Sequence, residues 1–527
     1  MYAKIKSMAP LGIEGIMIDV ESDISSGLPQ LSLVGYLSSS VREAGDRVRT
    51  ALKNSGFAIP PKRVTINLSP ADIRKDGSGY DLAIAMSILC NMQVFSEEQL
   101  NDLKLDETLF LGELGLDGQV RPINGVLPMV HYAKQSGITQ VFIPKENAPE
   151  ASFIDEIKIY PVSTLNEMID MIQKKDLLRP IRNEDYFFYS KEESNEFDIA
   201  DIKGQETMKR GMAIAVAGFH NILLTGAAGS GKSFLAKCIP GIMPCLTYNE
   251  SLELTKIYSV AGLLHNDIGL INKRPFRSPH HSSTQAALLG GGPIPKPGEV
   301  SLSQYGVLFL DEFPEFPRNV IEALRQPMED RYVTISRSRA RYTYPANFML
   351  VAARNNCPCG NFPDRKKCHC TIKQIQDYEK KLSQPIMDRI DIKIEVHPVK
   401  GEDLFGAEKE NKGITFGKYK AGTSSELREL IENVRERQRF RYRNESFLYN
   451  AEIPQKKISE YIKVKEKDKK VLQEAFEKGG ISARGFFKIL RLARTIADME
   501  DSDEIREKDI NEALFYRNRQ DRNEDEY

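Results

Sequence analysis

The 527-residue sequence has almost no net charge, because 73 lysines and arginines face 74 aspartates and glutamates and leave −1. So even a balance argues against wholesale coating of nucleic acid, while leaving room for local basic patches. The sequence also lacks any apolar run approaching the ~18–20 residues that a bilayer crossing needs. Its first residues, MYAKIKSMAPLGIEG, place Gly and Glu where a signal peptide would carry an apolar stretch. The expectation is a cytoplasmic protein with no membrane partner. Glycine and proline, 36 and 27 residues, are at ordinary levels, and 41% of residues are hydrophobic. Collagen-like, low-complexity and wholly disordered classes are thereby excluded, and no internal repeat is visible. Cysteine is scarce and odd in number. Cys90, Cys238 and Cys245 are scattered, whereas Cys357, Cys359, Cys368 and Cys370 crowd into fourteen residues. That pattern suits a reducing compartment and a metal site better than a disulfide framework.

At roughly 100–200 residues per domain the length implies about three domains. Residues 1–175 alternate strand-like runs (Arg63–Leu68, Val141–Pro144) with helical ones (Asp81–Cys90, Val126–Lys134), an α+β pattern. Residues 176–196 are charged and aperiodic and read as a linker. In residues 197–400 the short apolar runs Asn221–Thr225, Gly306–Leu310 and Phe348–Ala353 predict strands of a covered parallel sheet, hence an α/β domain. Residues 401–424 are polar, bear glycine and read as a second linker. Residues 425–527 read as helices throughout.

The chemistry begins at Gly226-Ala227-Ala228-Gly229-Ser230-Gly231-Lys232-Ser233, which fits GxxxxGK[ST] between an apolar strand and a helical stretch. In that frame backbone N–H groups and a helix N-terminus converge on phosphate oxygens; Lys232 reaches the outer phosphates and the Ser233 hydroxyl ligates Mg²⁺. Eighty residues on, Gly306-Val-Leu-Phe-Leu-Asp311-Glu312 is an apolar strand ending in two carboxylates. Asp311 at the strand tip can hold Mg²⁺ and Glu312 can polarise the attacking water, so the pair predicts hydrolysis rather than binding alone. After the next strand come Arg354, Asn355 and Asn356, where an asparagine can orient water to the γ-phosphate. Arg389 in Met-Asp-Arg-Ile-Asp and Arg484 in Ser-Ala-Arg are candidates for neutralising phosphoryl charge.

Cys357-x-Cys359 and Cys368-x-Cys370 offer four thiolates, the number a structural Zn²⁺ site uses, although CxC is tighter than the usual spacing. His369 reads as a bystander. His280 and His281 either line a pore or cap a helix. Tyr332–Tyr344 reads as a β-hairpin carrying Arg337, Arg339 and Arg341 beside tyrosines, residue types that hold phosphates and stack on bases. Five more arginines lie within Val434–Arg443, spread around a helix rather than along one face, the pattern of a solvated, ion-paired helix.

Several motifs are more specific. Arg274-Pro-Phe-Arg-Ser-Pro-His280-His281, Gly290-Gly-Gly-Pro, Lys296-Pro-Gly-Glu-Val-Ser-Leu, GVLFLDEFPEF, Ala323-Leu-Arg-Gln-Pro-Met-Glu, Cys357-Pro-Cys359-Gly, Asp388-Arg389-Ile-Asp391 and Ser482-Ala483-Arg484 together resemble the ComM/YifB family of Mg-chelatase-like AAA+ ATPases, from Leu11 to about Arg517. The resemblance implies an α/β AAA+ P-loop ATPase core, an N-terminal Lon-protease-like α+β domain and a C-terminal helical lid. It implies ATP and Mg²⁺, a homo-hexamer, and a motor migrating branched or single-stranded DNA with recombination proteins during natural transformation. It makes Asn355 the sensor-1 residue, Arg389 a finger reaching a neighbour's site, Arg484 sensor 2, and the arginine hairpin a pore element. The family usually reads Met-Asn-Pro before Cys-Pro-Cys, whereas here the residues are Arg354-Asn355-Asn356, which leaves both asparagines as candidates. In the Lon-like part Gly79 falls where the nucleophilic serine belongs, Ser78 is one position early, and no lysine precedes Lys134 in the expected region. A serine–lysine protease needs both groups, so the expectation is a non-proteolytic domain. The rival readings are a metal-insertion motor and a protein-remodelling ATPase.

Overall fold

The computed structural model describes residues 2–174, 179–181, 197–264, 269–336, 341–397, 413–465, 472–474, 476 and 482–518. Its N-terminal sheet starts from a long hairpin. Tyr2–Leu11 pairs antiparallel with Glu14–Ser25 from Tyr2↔Asp23 to Leu11↔Glu14, across a turn that Gly12 enters at φ 63°. Five further strands extend it on both sides, in the order Gln30–Val34, Arg63–Ser69, Glu14–Ser25, Tyr2–Leu11, Thr108–Phe110, Gln140–Pro144 and Lys158–Val162. The centre is antiparallel and the flanks are parallel. Helix Asp81–Asn91, buried at ten of its eleven positions, packs on the first hairpin, as expected of a helix apolar all round. Phe110, Phe142 and Tyr160 stack across three adjacent strands at 5.0 Å spacing.

The second sheet is parallel, in the order Phe276–Arg277, Val307–Leu310, Met349–Arg354, Ile222–Gly226 and Ile392–Val396. Val307–Leu310 and Met349–Arg354 are buried at every position, which is why they read as unbroken apolar runs rather than alternation. The strand before the phosphate loop therefore lies one strand away from the strand of Asp311, with Met349–Arg354 between them. All three point their C-terminal ends to the same edge, where ligands of open α/β sheets bind.

The hairpin over Tyr332–Tyr344 is present as Tyr332–Ser336 paired with Arg341–Pro345. Arg341 is exposed on it; Arg337 and Arg339 lie outside the described residues. Tyr344, fully buried, donates its hydroxyl to Pro295 O at 2.7 Å and so ties the hairpin to the insert that precedes the Asp311 strand. The N-terminal sheet unit meets the core through helix Val126–Gln135 against helix Tyr248–Ala261. There Gly125 N donates to Ser259 O at 3.1 Å, and Ser259 Oγ donates to the buried Glu150 carboxylate at 2.5 Å.

Helices Ser424–Arg441, Ala483–Met499 and Glu507–Asn518 cover the other side of the core. The first opens on a capping box between Thr423 and Glu426. Within the stretch read as a second linker, Ile414–Phe416 and Tyr419–Ala421 form a small hairpin that buries Ile414, Phe416 and Ala421 in the core. Three-residue strands inside a charged, glycine-bearing window carry too little periodicity to show in sequence. The arginine-rich helix is ion-paired, as its sequence pattern suggested. Arg435 is buried over Tyr449 at 3.5 Å, Arg439 pairs with Glu432 at 3.0 Å, and Arg441 with Asp498 at 2.6 Å. Among the described residues no helix is long and apolar enough to cross a membrane.

Candidate active site

The phosphate loop leaves its strand at Gly226, where a Cβ would stand 2.3 Å from Val396 O, so no larger residue fits beside the neighbouring strand. Gly229 and Gly231 take φ of 74° and 92°, left-handed values that glycine adopts without strain, and nothing lies within 4 Å on their open side. Helix Lys232–Ile242 begins at Gly231 with no side-chain cap. Its first N–H groups are thus left to a ligand, the arrangement that binds anions. Lys232 Nζ is held over the loop by Gly226 O at 2.9 Å, Ala227 O at 2.8 Å and Asn355 Oδ1 at 3.1 Å. Burial lowers its pKa. All three acceptors are uncharged, so a phosphate oxygen would be a stronger partner than any of them.

Ser233 Oγ donates to Asp311 Oδ2 at 2.6 Å, which brings the two proposed Mg²⁺ ligands to one point. Hydroxyl and carboxylate are the hard oxygen donors that Mg²⁺ takes, so the pair fits that ion. Glu312 sits at φ 49°, ψ 42°, a left-handed conformation that costs a side-chain-bearing residue energy and is concentrated at functional sites. Its N–H is held by Asp311 Oδ1 at 2.9 Å, and its half-exposed carboxylate meets His281 Nδ1 at 3.3 Å. His281 thus faces Glu312, and His280 stacks beside it with ring centroids 4.1 Å apart. Of the two asparagines, Asn355 faces Lys232, while Asn356 donates to Phe362 O at 3.2 Å.

Arg389 and Arg484 meet on one residue, Glu329, the last of the Ala323-Leu-Arg-Gln-Pro-Met-Glu motif. Arg389 Nη2 lies 2.6 Å from Glu329 Oε2, and Arg484 Nη2 lies 3.1 Å from Oε1. Arg389 is buried and also donates to Arg325 O at 3.2 Å and Pro385 O at 2.8 Å, whereas Arg484 is half-exposed. Next to this group, Lys488 of helix Ala483–Met499 pairs with Asp391 at 2.6 Å, and Asp391 accepts the Asn221 N–H at 2.9 Å. Burial opposes the charge on Asp391, but Lys488 and His220 outweigh it and hold the carboxyl at about 2. His220, fully buried and bonded to Thr495 Oγ1 at 2.8 Å, is pushed down to about 4 by burial.

The four clustered cysteines converge. Cys357, Cys359 and Cys368 sulfurs are 3.4, 3.7 and 3.6 Å apart, and all four Sγ atoms lie within 4.8 Å of one another. Tetrahedral Zn–S bonds of about 2.3 Å require sulfurs roughly 3.8 Å apart, so the donor set fits zinc. His369 is exposed and outside the group.

In the N-terminal unit the candidate protease residues are engaged elsewhere. Ser78 Oγ donates to the Glu113 carboxylate, and Lys134 pairs with Glu156 at 3.1 Å. A Cβ on Gly79 would meet Ile123 at 3.0 Å, an apolar wall rather than a base.

Sequence reasoning passed over Glu329, although it closes the Ala323-Leu-Arg-Gln-Pro-Met-Glu motif, and left His281 open. Each acquires a partner only through folding, so spacing held no signal for it. Comparison with known proteins places the whole chain. The family profiles "Magnesium chelatase, subunit ChlI", "Subunit ChlI of Mg-chelatase" and "Magnesium chelatase, subunit ChlI C-terminal" match residues 198–404, 20–147 and 421–517. Competence protein ComM of Haemophilus influenzae is 39% identical over 520 residues, 98% of this chain and 97% of that protein. YifB of Escherichia coli is 38% identical over 513 residues, 97% of this chain and 96% of that protein. Lon protease 2 of Bacillus subtilis is 32% identical over 155 residues, 28% of this chain and 26% of the protease.

Proposed function

The chain belongs to the ComM/YifB family of magnesium-chelatase-like AAA+ proteins, and on that premise we propose that it is an ATP-hydrolysing ring motor acting on DNA, a helicase that promotes branch migration of recombination intermediates during natural transformation. The observation that carries the reading is the convergence of Lys232, Ser233, Asp311, Glu312 and Asn355 at one sheet edge. Lys232 exchanges its backbone carbonyls for the outer phosphates of ATP. Ser233 and Asp311 hold Mg²⁺, which when bound neutralises phosphate charge. Glu312 takes a proton from the attacking water while Asn355 orients that water, the division of labour phosphoryl transfer requires. Arg389 leaves Glu329 to meet a neighbouring subunit's nucleotide in a hexamer, and Arg484 leaves it to serve as sensor 2. A permanently charged, planar guanidinium suits the charge that spreads over the transferred phosphoryl group.

DNA is the proposed partner because a basic, tyrosine-flanked hairpin lies, in chain order, between the strand before Asp311 and the strand before Asn355, and because the relative from Haemophilus is a competence protein. In this reading Arg337, Arg339 and Arg341 grip the backbone in the pore, recombination proteins supply the substrate, and the work is cytoplasmic. Cys357, Cys359, Cys368 and Cys370 hold a structural zinc. The division into residues 1–175, 197–400 and 425–527 stands as part of the same proposal, and the first of these plays a non-proteolytic role, since Ser78 and Lys134 are each engaged by a carboxylate rather than by one another. The test is a labelled four-way junction incubated with protein, Mg²⁺ and ATP. Strand products that require hydrolysable ATP and vanish with Glu312→Gln support the motor. Junction binding without products, at saturating ATP and with active hydrolysis, contradicts it.

A further inference from the structure

The cysteine knuckle follows Asn355 and Asn356 directly after the strand that ends at Arg354, and its first turn lies on the phosphate loop. Gly360 O accepts the N–H of Ala228, the third residue of that loop, at 2.8 Å. The approach is close. A Cβ on Gly360 would stand 2.9 Å from Ala228 Cβ and 3.6 Å from Asn355 Nδ2, and Gly360 has φ of 77°. Glycine is thus required twice at this position, for its conformation and for its contact. Gly360 in turn sits beside two of the thiols: its N–H donates to Cys357 O at 3.0 Å, and Cys359 is its chain neighbour.

Turn hydrogen bonds around Asp364 shape the knuckle, but little apolar surface is buried in it. Its buried apolar cluster consists of Cys357, Cys368 and Ile375, with Phe362 and Cys370 partly covered against it. Two of those three core residues are themselves thiols of the metal set. A loop of this size with so small a core is held chiefly by its metal bonds when they are present, because ligand binding and folding are then one equilibrium.

We propose that the four-cysteine knuckle is a metal-dependent strap on the phosphate loop. Metal at Cys357, Cys359, Cys368 and Cys370 fixes the Gly360 carbonyl against Ala228 N–H, which presets the limb of the loop that precedes Gly229–Ser233. Without metal the strap loosens, and nucleotide binding must then also order the loop. This rests on the reading that the phosphate loop takes nucleotide and the cysteines take zinc. The expected loss is roughly three- to tenfold in nucleotide affinity, the range that one backbone hydrogen bond supports.

The full chain is titrated with a fluorescent ADP analogue in saturating Mg²⁺, with zinc content measured on the same preparation. Zinc is then stripped by a chelator, which gel filtration removes, and finally restored. The strap predicts three- to tenfold weaker binding of the stripped protein and recovery with zinc alone. Gly360→Ala, which pushes the knuckle off Ala228, should weaken binding by a similar factor with zinc retained, and stripping that variant should add little further loss, as expected for two changes acting through one contact. Unchanged affinity in stripped, folded protein overturns the strap while leaving the zinc site intact. Unchanged affinity in zinc-loaded Gly360→Ala overturns it even where stripped protein fails to fold. A wild-type chain that holds no zinc overturns the metal assignment and the strap with it; a zinc-loaded chain that binds no nucleotide overturns the reading of the phosphate loop instead.

Discussion

Lys232 and Glu312 act on different parts of one reaction, so their substitutions should separate. Lys232 bridges the loop to Asn355 and is the cation proposed to meet the outer phosphates; Lys232→Ala should weaken nucleotide binding and abolish hydrolysis. Glu312→Gln keeps the Ser233–Asp311 pair intact and removes only the base. It should bind ATP with near wild-type affinity and lose about 10²- to 10⁴-fold in turnover, the range general-base catalysis spans. Binding by fluorescence and turnover by phosphate release check both; wild-type turnover in Glu312→Gln would remove the role assigned to it. These residues were legible in sequence because phosphate chemistry fixes their spacing within a strand–loop–helix frame. Glu329 and Gly360 were not, because their importance comes from partners at Arg389, Arg484 and Ala228 that only the folded chain supplies.

Among elements, the fully buried strands and the arginine hairpin were readable from composition alone, one as unbroken apolar runs and the other as two tyrosine-bearing strands around a turn. The hairpin at Ile414–Ala421 was not, since three-residue strands give no period to detect. Neither was the fate of Arg435, which sits among charged neighbours in sequence and is buried over Tyr449 in the fold. The arginine hairpin has its own test. Replacing Arg337, Arg339 and Arg341 with Ala should weaken DNA binding across all sequences and make its salt dependence shallower, by about 0.7–0.9 for each phosphate that is no longer neutralised. Basal hydrolysis and oligomer size should persist, because the hairpin lies outside the cluster around Lys232. A ring that stays intact with an unchanged salt slope would rule out the backbone grip.

At the scale of the molecule, helix Ala483–Met499 and the parallel-sheet unit are joined through the buried group of His220, Asp391, Lys488 and Thr495. His220 has its pKa lowered to about 4 by burial from an ordinary value of 6.5. Between those pH values the unfolded chain takes a proton that the fold refuses, so stability is lost as pH falls through that window. His220→Gln retains a partner for Thr495 without titrating. Its denaturation midpoint should therefore fall less than wild type's between pH 6.5 and 4, by up to about 3 kcal/mol in stability; parallel curves would show that His220 is not the group responsible. Assembly offers a second test, because an arginine that acts across an interface can rescue a neighbour's defective site only in mixed rings. Arg389→Ala combined with Lys232→Ala should recover part of the ATPase activity that each lacks alone, and mixed rings without recovery at any ratio would place Arg389 in its own subunit's chemistry. The central claim, that hydrolysis drives work on DNA, is tested most directly by one ATPase measurement on the full chain with forked DNA, an unfolded protein, or a porphyrin-chelatase partner added in turn. The account predicts stimulation by forked DNA alone; a rate that rises with either of the others and ignores DNA would contradict it.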